Sequence, residues 1–363
     1  MKSFTTSMKY FPNGCMATPL SGKKWPSKAP ALMAKSTQKV RLVNSFFTFR
    51  FFNDRIKISH DAHVFKPILV YFWEMKISGF TIIRNAIIND YPAVEAISSI
   101  LPVVDEMIVA VGKSDDDTEG LIRGIGSDKI RIVHSDWDLS KLPGGHVMAI
   151  ETNKAFQQIA DDSDWAFYIQ CDEVVHEKFH DNIRAACEKQ LNNPSVFGLV
   201  FGYVHFYGTY DYYGDSRRWY NKEIRIIRNN KNIYSFKDAQ GFRMDGKRLP
   251  CKLIDAQVYH YGWVKSPELM DRKLRKLSSN WMSKSMRESL EKREGIYNYD
   301  EFDSLERFTG SHPIVMQKRI SEKNWEIQAD VTRKKFTLKK GFLYLLEKYT
   351  GIRPFTFRNY KRV

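Results

Sequence analysis

Residues 165–177 read WAFYIQCDEVVHE. The run opens on five uncharged residues, Trp165 to Ile169, the pattern of a strand buried on both faces, and breaks at once into Gln170, Cys171, Asp172 and Glu173. An acid at the exit of a buried strand is well placed to hold a divalent cation, because Mg2+ and Mn2+ take hard oxygen ligands. Two readings of Asp172 and Glu173 stand at this point: a cation site, or caps for a helix that begins near Glu177. The segments on either side bear on the choice.

Working outward, Lys76 to Ile83 reads as a first strand, Ala93 to Ile100 behind Pro92 as a helix, and Glu106 to Val111 as a second buried strand. Ile130 to Val133 makes a third strand, and His146 to Ile159 a helix that leads into the run quoted above. A helix over Phe179 to Leu191 and strand-like runs at Val196 to Tyr203, Ile224 to Ile227 and Ala256 to His260 follow. This alternation predicts an α/β fold, Rossmann-like, with a mostly parallel sheet flanked by helices. In such sheets ligands bind beyond the carboxyl ends of the strands. Arg84 with Asn85, Ser114 to Thr118 and Gln170 to Glu173 are therefore expected to share one crevice, and Asn153 is counted with them.

The chain has 363 residues, 43% of them hydrophobic, and a formal net charge of +15. That charge is uneven. Residues 1–74 carry nine Lys and three Arg against Asp54, Asp61 and Glu74, which leaves +6 for the remainder. They mix Ser, Lys and Pro without sustained periodicity and read as a disordered basic leader, with Met75 as the expected natural start. The apolar patches there are too short to cross a bilayer. Residues 75–265 are read as the catalytic domain and residues 266–363 as a basic, helical C-terminal extension packed on it. Cys15, Cys171, Cys187 and Cys251 lie far apart and form no CxxC pair, so neither a zinc ribbon nor a disulfide framework is indicated, and a cytoplasmic setting is expected.

FTIIRNA after the first strand, SDDDTEG after the second and YIQCDEVVHE after the fourth resemble, in order and spacing, the inverting glycosyltransferase family 2 of the GT-A fold. HFYGTYDYYGDSRRWY, FKDAQGFR, YHYGWVKSP, HPIVMQKRI and EKYTGIRPFTFRNYK extend the likeness toward a bacterial branch of these enzymes. The resemblance implies a nucleotide-sugar donor, with Asp115 and Asp116 at the nucleoside and Asp172 at a Mg2+ or Mn2+ ion that holds the diphosphate. Gln170 stands where the first acid of the family's D-x-D motif is commonly found, which is a departure. The implied acceptor is a glycan: a cell-envelope polysaccharide, lipopolysaccharide or lipid-linked sugar. The implied location is cytoplasmic, at the inner face of the membrane where the acceptor is lipid-linked.

His260, closing the strand AQVYH, is a second candidate metal ligand, against the alternative of a histidine satisfied by a backbone carbonyl; His176 and His205 are its rivals. An inverting transfer needs a carboxylate to take the acceptor proton. Asp238 in SFKDAQGFR is the expected base, with Asp211, Asp215 and Glu223 as alternatives and a turn residue as the plain reading. Arg217 and Arg218, beside Trp219, Tyr220, Tyr207, Tyr210, Tyr212 and Tyr213, form either an acceptor or diphosphate surface or a packed aromatic core. In the tail, Phe342, Leu343, Leu345 and Leu346 stand among lysines, as in a helix packed on the domain or one in contact with a membrane surface. Two further readings are a nucleotidyltransferase, whose Gly-rich first loop FTIIRNAIIND lacks, and a basic nucleic-acid- or membrane-binding protein. No zinc spacing or helix-turn-helix supports nucleic acid as a partner.

Overall fold

The computed structural model describes residues 75–138, 140, 145–281 and 295–363. The basic leader, residues 1–74, and part of the lysine-rich tail, residues 282–294, lie outside the described residues.

β1 (Ile77–Ile83) lies inside the parallel part of the sheet, with all seven residues buried. It pairs in parallel with β2 (Glu106–Gly112), and β2 pairs in parallel with β3 (Ile130–Ser135). On its other edge β1 pairs in parallel with β4 (Trp165–Tyr168), which gives the order β3-β2-β1-β4 of a mononucleotide-binding half. The crossovers carry α1 (Ala93–Ile100), α2 (Thr118–Arg123) and α3 (His146–Gln157). α1 forms because Ala93, Ala96, Ile97 and Ile100 recur on one helical face, and that face is buried.

Strand side chains alternate between two apolar layers. Ile77, Ile83, Met107, Val109 and Val111 pack with α1 and with Ile183 and Cys187 of α4 (His180–Gln190). Phe80, Ile82, Ile108 and Ala110 pack with Ala155 and Phe156 of α3. Helices thus cover both faces, as the sequence predicts.

Beyond β4 come β5 (Glu173–Val175), β6 (Gly198–Gly208), β7 (Tyr212–Tyr213) and β8 (Lys222–Arg228). β8 lies between β4 and β6, antiparallel to both. β9 (Tyr234–Phe236), β10 (Gly241–Met244) and β11 (Lys247–Arg248) make a small antiparallel sheet. β12 (Pro250–Val264) runs parallel to β6 and antiparallel to β5. Its register sets His260 opposite both Glu173 and His205. The C-terminal part holds α5 (Pro267–Trp281), β13 (Glu306–Arg307), α6 (Gln317–Ser321), α7 (Leu338–Thr350) and β14 (Lys361–Arg362).

Candidate functional site

The loop that leaves β1 meets the loop that leaves β2. Asn85 stands in the left-handed region (φ 54°) and is buried, and its side chain exchanges two hydrogen bonds with Asp115: Nδ2 donates to Oδ2 at 2.8 Å, and the Asp115 backbone N–H donates to Oδ1 at 2.7 Å. Arg84 donates through Nε to the Lys113 carbonyl at 2.7 Å and stands 3.6 Å from the Asp115 carboxylate. The Asp115 side chain, 69% exposed, is thereby aimed with acceptor capacity to spare. Asp116 works differently. It accepts from the Ile88 N–H at 2.8 Å and from Thr118, and so ties the two loops together. Burial would raise its pKa, and those donors hold it below the ordinary carboxylate value. Asp117 caps α2 through the Gly120 N–H.

The β1 loop also reaches the residues after β4. The Tyr91 hydroxyl is held well above its ordinary pKa, first by burial and then by the nearby Cys171 and Asp172 charges. Lys265 and Lys273 lie 5.1 and 5.8 Å from the Tyr91 ring. Lys265 donates to the carbonyls of Asn89 and Asp90 at 2.8 and 2.6 Å, and burial, helped by Lys273, pushes its pKa down to about 7. The clusters after β1 and β2 are thus joined directly, and Tyr91 links the β1 loop to the surroundings of Asp172.

Asp172 and Glu173 divide sharply. Glu173 is fully buried and clasped by Arg225, whose Nε and Nη2 reach its two oxygens at 2.7 and 2.5 Å. The Tyr203 hydroxyl (2.8 Å) and the Gln170 N–H (3.1 Å) complete its bonding, so Glu173 is a structural anchor. Neither acid caps the following helix, because His176 does so through Nδ1 to the Lys178 N–H. Asp172 is left facing His260, with Nε2 and Oδ2 3.5 Å apart. Burial alone would raise the Asp172 pKa; His260, then Lys273 and Lys265, outweigh it and hold the carboxyl well below the usual range.

The imidazole of His260 is oriented by a second histidine. His205 donates Nε2–H to the Tyr220 carbonyl at 2.7 Å, and burial keeps it neutral. Its Nδ1 is then an acceptor for Nδ1–H of His260 at 3.3 Å, which leaves Nε2 of His260 turned to Asp172. Trp219 stacks on His205 with centroids 5.3 Å apart and planes at 27°. The backbone-satisfied histidine foreseen as the plain reading of His260 is thus His205, and His176 is engaged with Ser311 at 2.9 Å.

The spacing of this pair is an ion-pair distance that also matches two ligands of one divalent cation. Metal–oxygen and metal–nitrogen bonds of about 2.1 Å, separated by about 90–110°, set two ligands about 3.0–3.4 Å apart, close to the observed spacing. Gly262, at the register shift of β12, lets both side chains approach the strand closely: a Cβ there would stand 2.4 Å from Asp172 Oδ2 and 2.8 Å from His260 Cε1. No cluster of three or more metal-binding side chains occurs among the described residues, so two protein ligands would leave the other positions to phosphate oxygens and water.

Asp238 sits in the turn between β9 and β10, flanked by Lys237 and Ala239 at positive φ. Its carboxyl accepts the Gln240 N–H, as a turn residue does, yet burial outweighs that bond and raises its pKa. The Gln240 carbonyl in turn lies 3.4 Å from Arg225, so the turn abuts the Glu173 clasp. The alternatives are committed elsewhere: Asp215 to Tyr344 and Ser304, Asp211 to Thr209, and Glu223 to Asn359.

The hydrogen bonds and packing describe three further groups of candidate residues. Asn153 exchanges hydrogen bonds with the Ser235 backbone (2.6 and 3.3 Å) and fastens β9 to α3. Arg217 binds Glu347 at 3.0 Å and the Thr356 hydroxyl, and Arg218 the Glu301 carbonyl at 2.8 Å; both brace the C-terminal region. Tyr207, Tyr210 and Tyr212 are buried in apolar clusters, so most of the aromatic group is core. Sequence reasoning passed over Tyr91, Gly262, Lys265 and Lys273. Gly262 and Lys265 lie within the quoted stretch YHYGWVKSP, which was the available signal.

No protein-family profile matches the chain, and no curated protein sequence does. Among solved structures it is similar to S. aureus TarS, at 11% identity and a TM-score of 0.32 over 60% of this chain and 42% of that one. It is also similar to glucosyl-3-phosphoglycerate synthase from Mycobacterium tuberculosis, a complex with Mn2+, UDP and phosphoglyceric acid (18% identity, TM-score 0.26, 36% of this chain and 43% of that one). A third is 4-diphosphocytidyl-2C-methyl-D-erythritol synthase from Anaerococcus prevotii (13% identity, TM-score 0.27, 43% and 70%). The chain spans less than half the length of the first two.

Proposed function

We propose that the chain is a nucleotide-sugar-dependent glycosyltransferase that moves a sugar from a nucleoside diphosphate to a hydroxyl acceptor with inversion. The observation that carries this reading is the Asp172–His260 pair, 3.5 Å apart beyond the carboxyl ends of parallel strands, in reach of the loop that holds the Asn85–Asp115 pair. Asp172 and His260 would hold a Mg2+ or Mn2+ ion, which when bound neutralises the charge of the leaving diphosphate.

The protein side of the chemistry is positioning and proton transfer. Asp115, steadied by Asn85 and Arg84, accepts hydrogen bonds from the nucleoside. Lys265 and Lys273 add positive charge near Asp172, and Gln170 lies at the same strand exit. Asp238, with its raised pKa, takes the proton of the acceptor hydroxyl as that oxygen attacks the anomeric carbon. The acceptor of this reading is a cell-envelope glycan or a lipid-linked sugar. Release of nucleoside diphosphate from a panel of nucleotide sugars tests the proposal: one donor is turned over with Mn2+ and none by Asp172→Asn, whereas equal turnover by the variant removes Asp172 from the site.

A further inference from the structure

α7 has two different faces. Its inner face is fastened to the rest of the protein. Tyr344 is buried, donates to Asp215 at 2.5 Å and packs on the Phe336 ring at 4.8 Å. Glu347 accepts from Arg217 and Arg353, both at 3.0 Å, and Lys348 pairs with Glu306. Its outer face carries Leu338, Phe342, Leu345 and Tyr349, at steps of four, three and four residues, which align as one stripe. These side chains are 96%, 66%, 49% and 81% exposed. After Gly351 ends the helix with φ 68°, Ile352, Phe355 and Phe357 remain 60–92% exposed.

An apolar stripe of that size in water is unfavourable unless something covers it. Its charge says what. From Arg333 to Arg362 there are ten Lys and Arg and one acid, Glu347; Lys334, Lys348 and Arg353 pair with Asp215, Glu306 and Glu347, which leaves seven cations outside those ion pairs. Lys339 and Lys340 stand exposed between Leu338 and Phe342. Phe357 also lines a groove of about 1100 Å³ whose walls carry Lys247, Arg248, Arg358, Lys361 and Arg362 against the single acid Asp245. Apolar side chains continuous with a cationic surface match the acyl boundary and phosphates of an anionic bilayer. With 13 residues the helix is too short to cross one, and among the described residues no helix is long and apolar enough to do so.

We propose that α7 and residues 352–357 dock the protein flat on an anionic membrane surface, with the Leu338–Tyr349 stripe in the interface and the flanking cations on lipid phosphates. This rests on no feature of the donor site, so either reading can fail alone.

The test is sedimentation of the full chain with phosphatidylcholine vesicles, with and without phosphatidylglycerol. The chain binds the anionic vesicles and barely the neutral ones. Lys339→Gln with Lys340→Gln weakens that binding about fivefold per lysine removed. Phe342→Ser with Leu345→Ser abolishes it while the thermal midpoint in the absence of vesicles stays put, because both side chains are exposed. Equal binding or none to the two vesicle types overturns the proposal, as does wild-type binding by the serine variant. Self-association dispersed by the serine variant, without vesicle binding, also overturns it and assigns the face to a second copy.

Discussion

His205 and His260 meet Nδ1 to Nδ1 at 3.3 Å, with the outer nitrogen of one on the Tyr220 carbonyl and that of the other turned to Asp172. A neutral His205 with a fixed tautomer therefore sets the orientation and the protonated nitrogen of His260. His205→Phe keeps a ring against Trp219 but removes the acceptor. Mn2+-dependent nucleotide binding should weaken about 10–100-fold, the usual effect of losing such a support, with metal-free nucleotide binding unchanged. Calorimetric titration in both conditions makes the comparison; equal loss in both would mean that His205 acts on the fold and not on the metal site.

Arg225 and Glu173 are both fully buried, and each is the other's charge partner. Arg225→Met leaves a carboxylate without its clasp and should cost about 3–5 kcal/mol in urea unfolding. Adding Glu173→Gln should restore a substantial part. A single variant as stable as the wild type would show that the pair does not anchor the fold.

Glu223 is buried with Asn359 Nδ2 3.1 Å from both of its oxygens, and burial, against the pull of Arg225 and Asn359, raises its pKa from 4.5 to about 8. Between those values the native state keeps a proton that the unfolded chain has released. Stability therefore falls as pH rises through this window, by up to about 1.4 kcal/mol per unit, and levels off above the folded value. Glu223→Gln mimics the protonated form and should flatten that part of a melting-temperature profile. An unchanged slope would assign the dependence to other groups.

Asp238→Asn should leave nucleotide binding nearly intact and lower turnover by about 10²-fold or more. In the wild type the acidic limb of the rate profile should lie above the ordinary carboxylate value, because burial raises Asp238. Retained turnover in the variant would return Asp238 to the role of a turn residue.

The parallel half of the sheet was legible because β1, β2 and β4 are apolar runs that break into polar clusters, and Asp172 stood out as the acid at one such break. The division of labour among the histidines was not. It depends on the β6–β12 register, which brings residues 55 positions apart face to face. The partners of Arg217 were hidden for a similar reason: beside five tyrosines it suggests a ligand surface or a packed core, and the acid it binds lies 130 positions away. The β9–β10 turn was legible only as the plain reading of Asp238, because Lys237 and Ala239 adopt positive φ where no glycine or asparagine stands.

The most direct measurement is a thermal-shift screen of the full chain against UDP, GDP, CMP and dTDP, with and without Mn2+, beside Asp172→Ala. Stabilisation by one nucleotide that requires Mn2+ and disappears in Asp172→Ala is the predicted result. No stabilisation by any nucleotide with the metal, or an equal response from the variant, would contradict the assignment of Asp172 and His260 to a metal–diphosphate site.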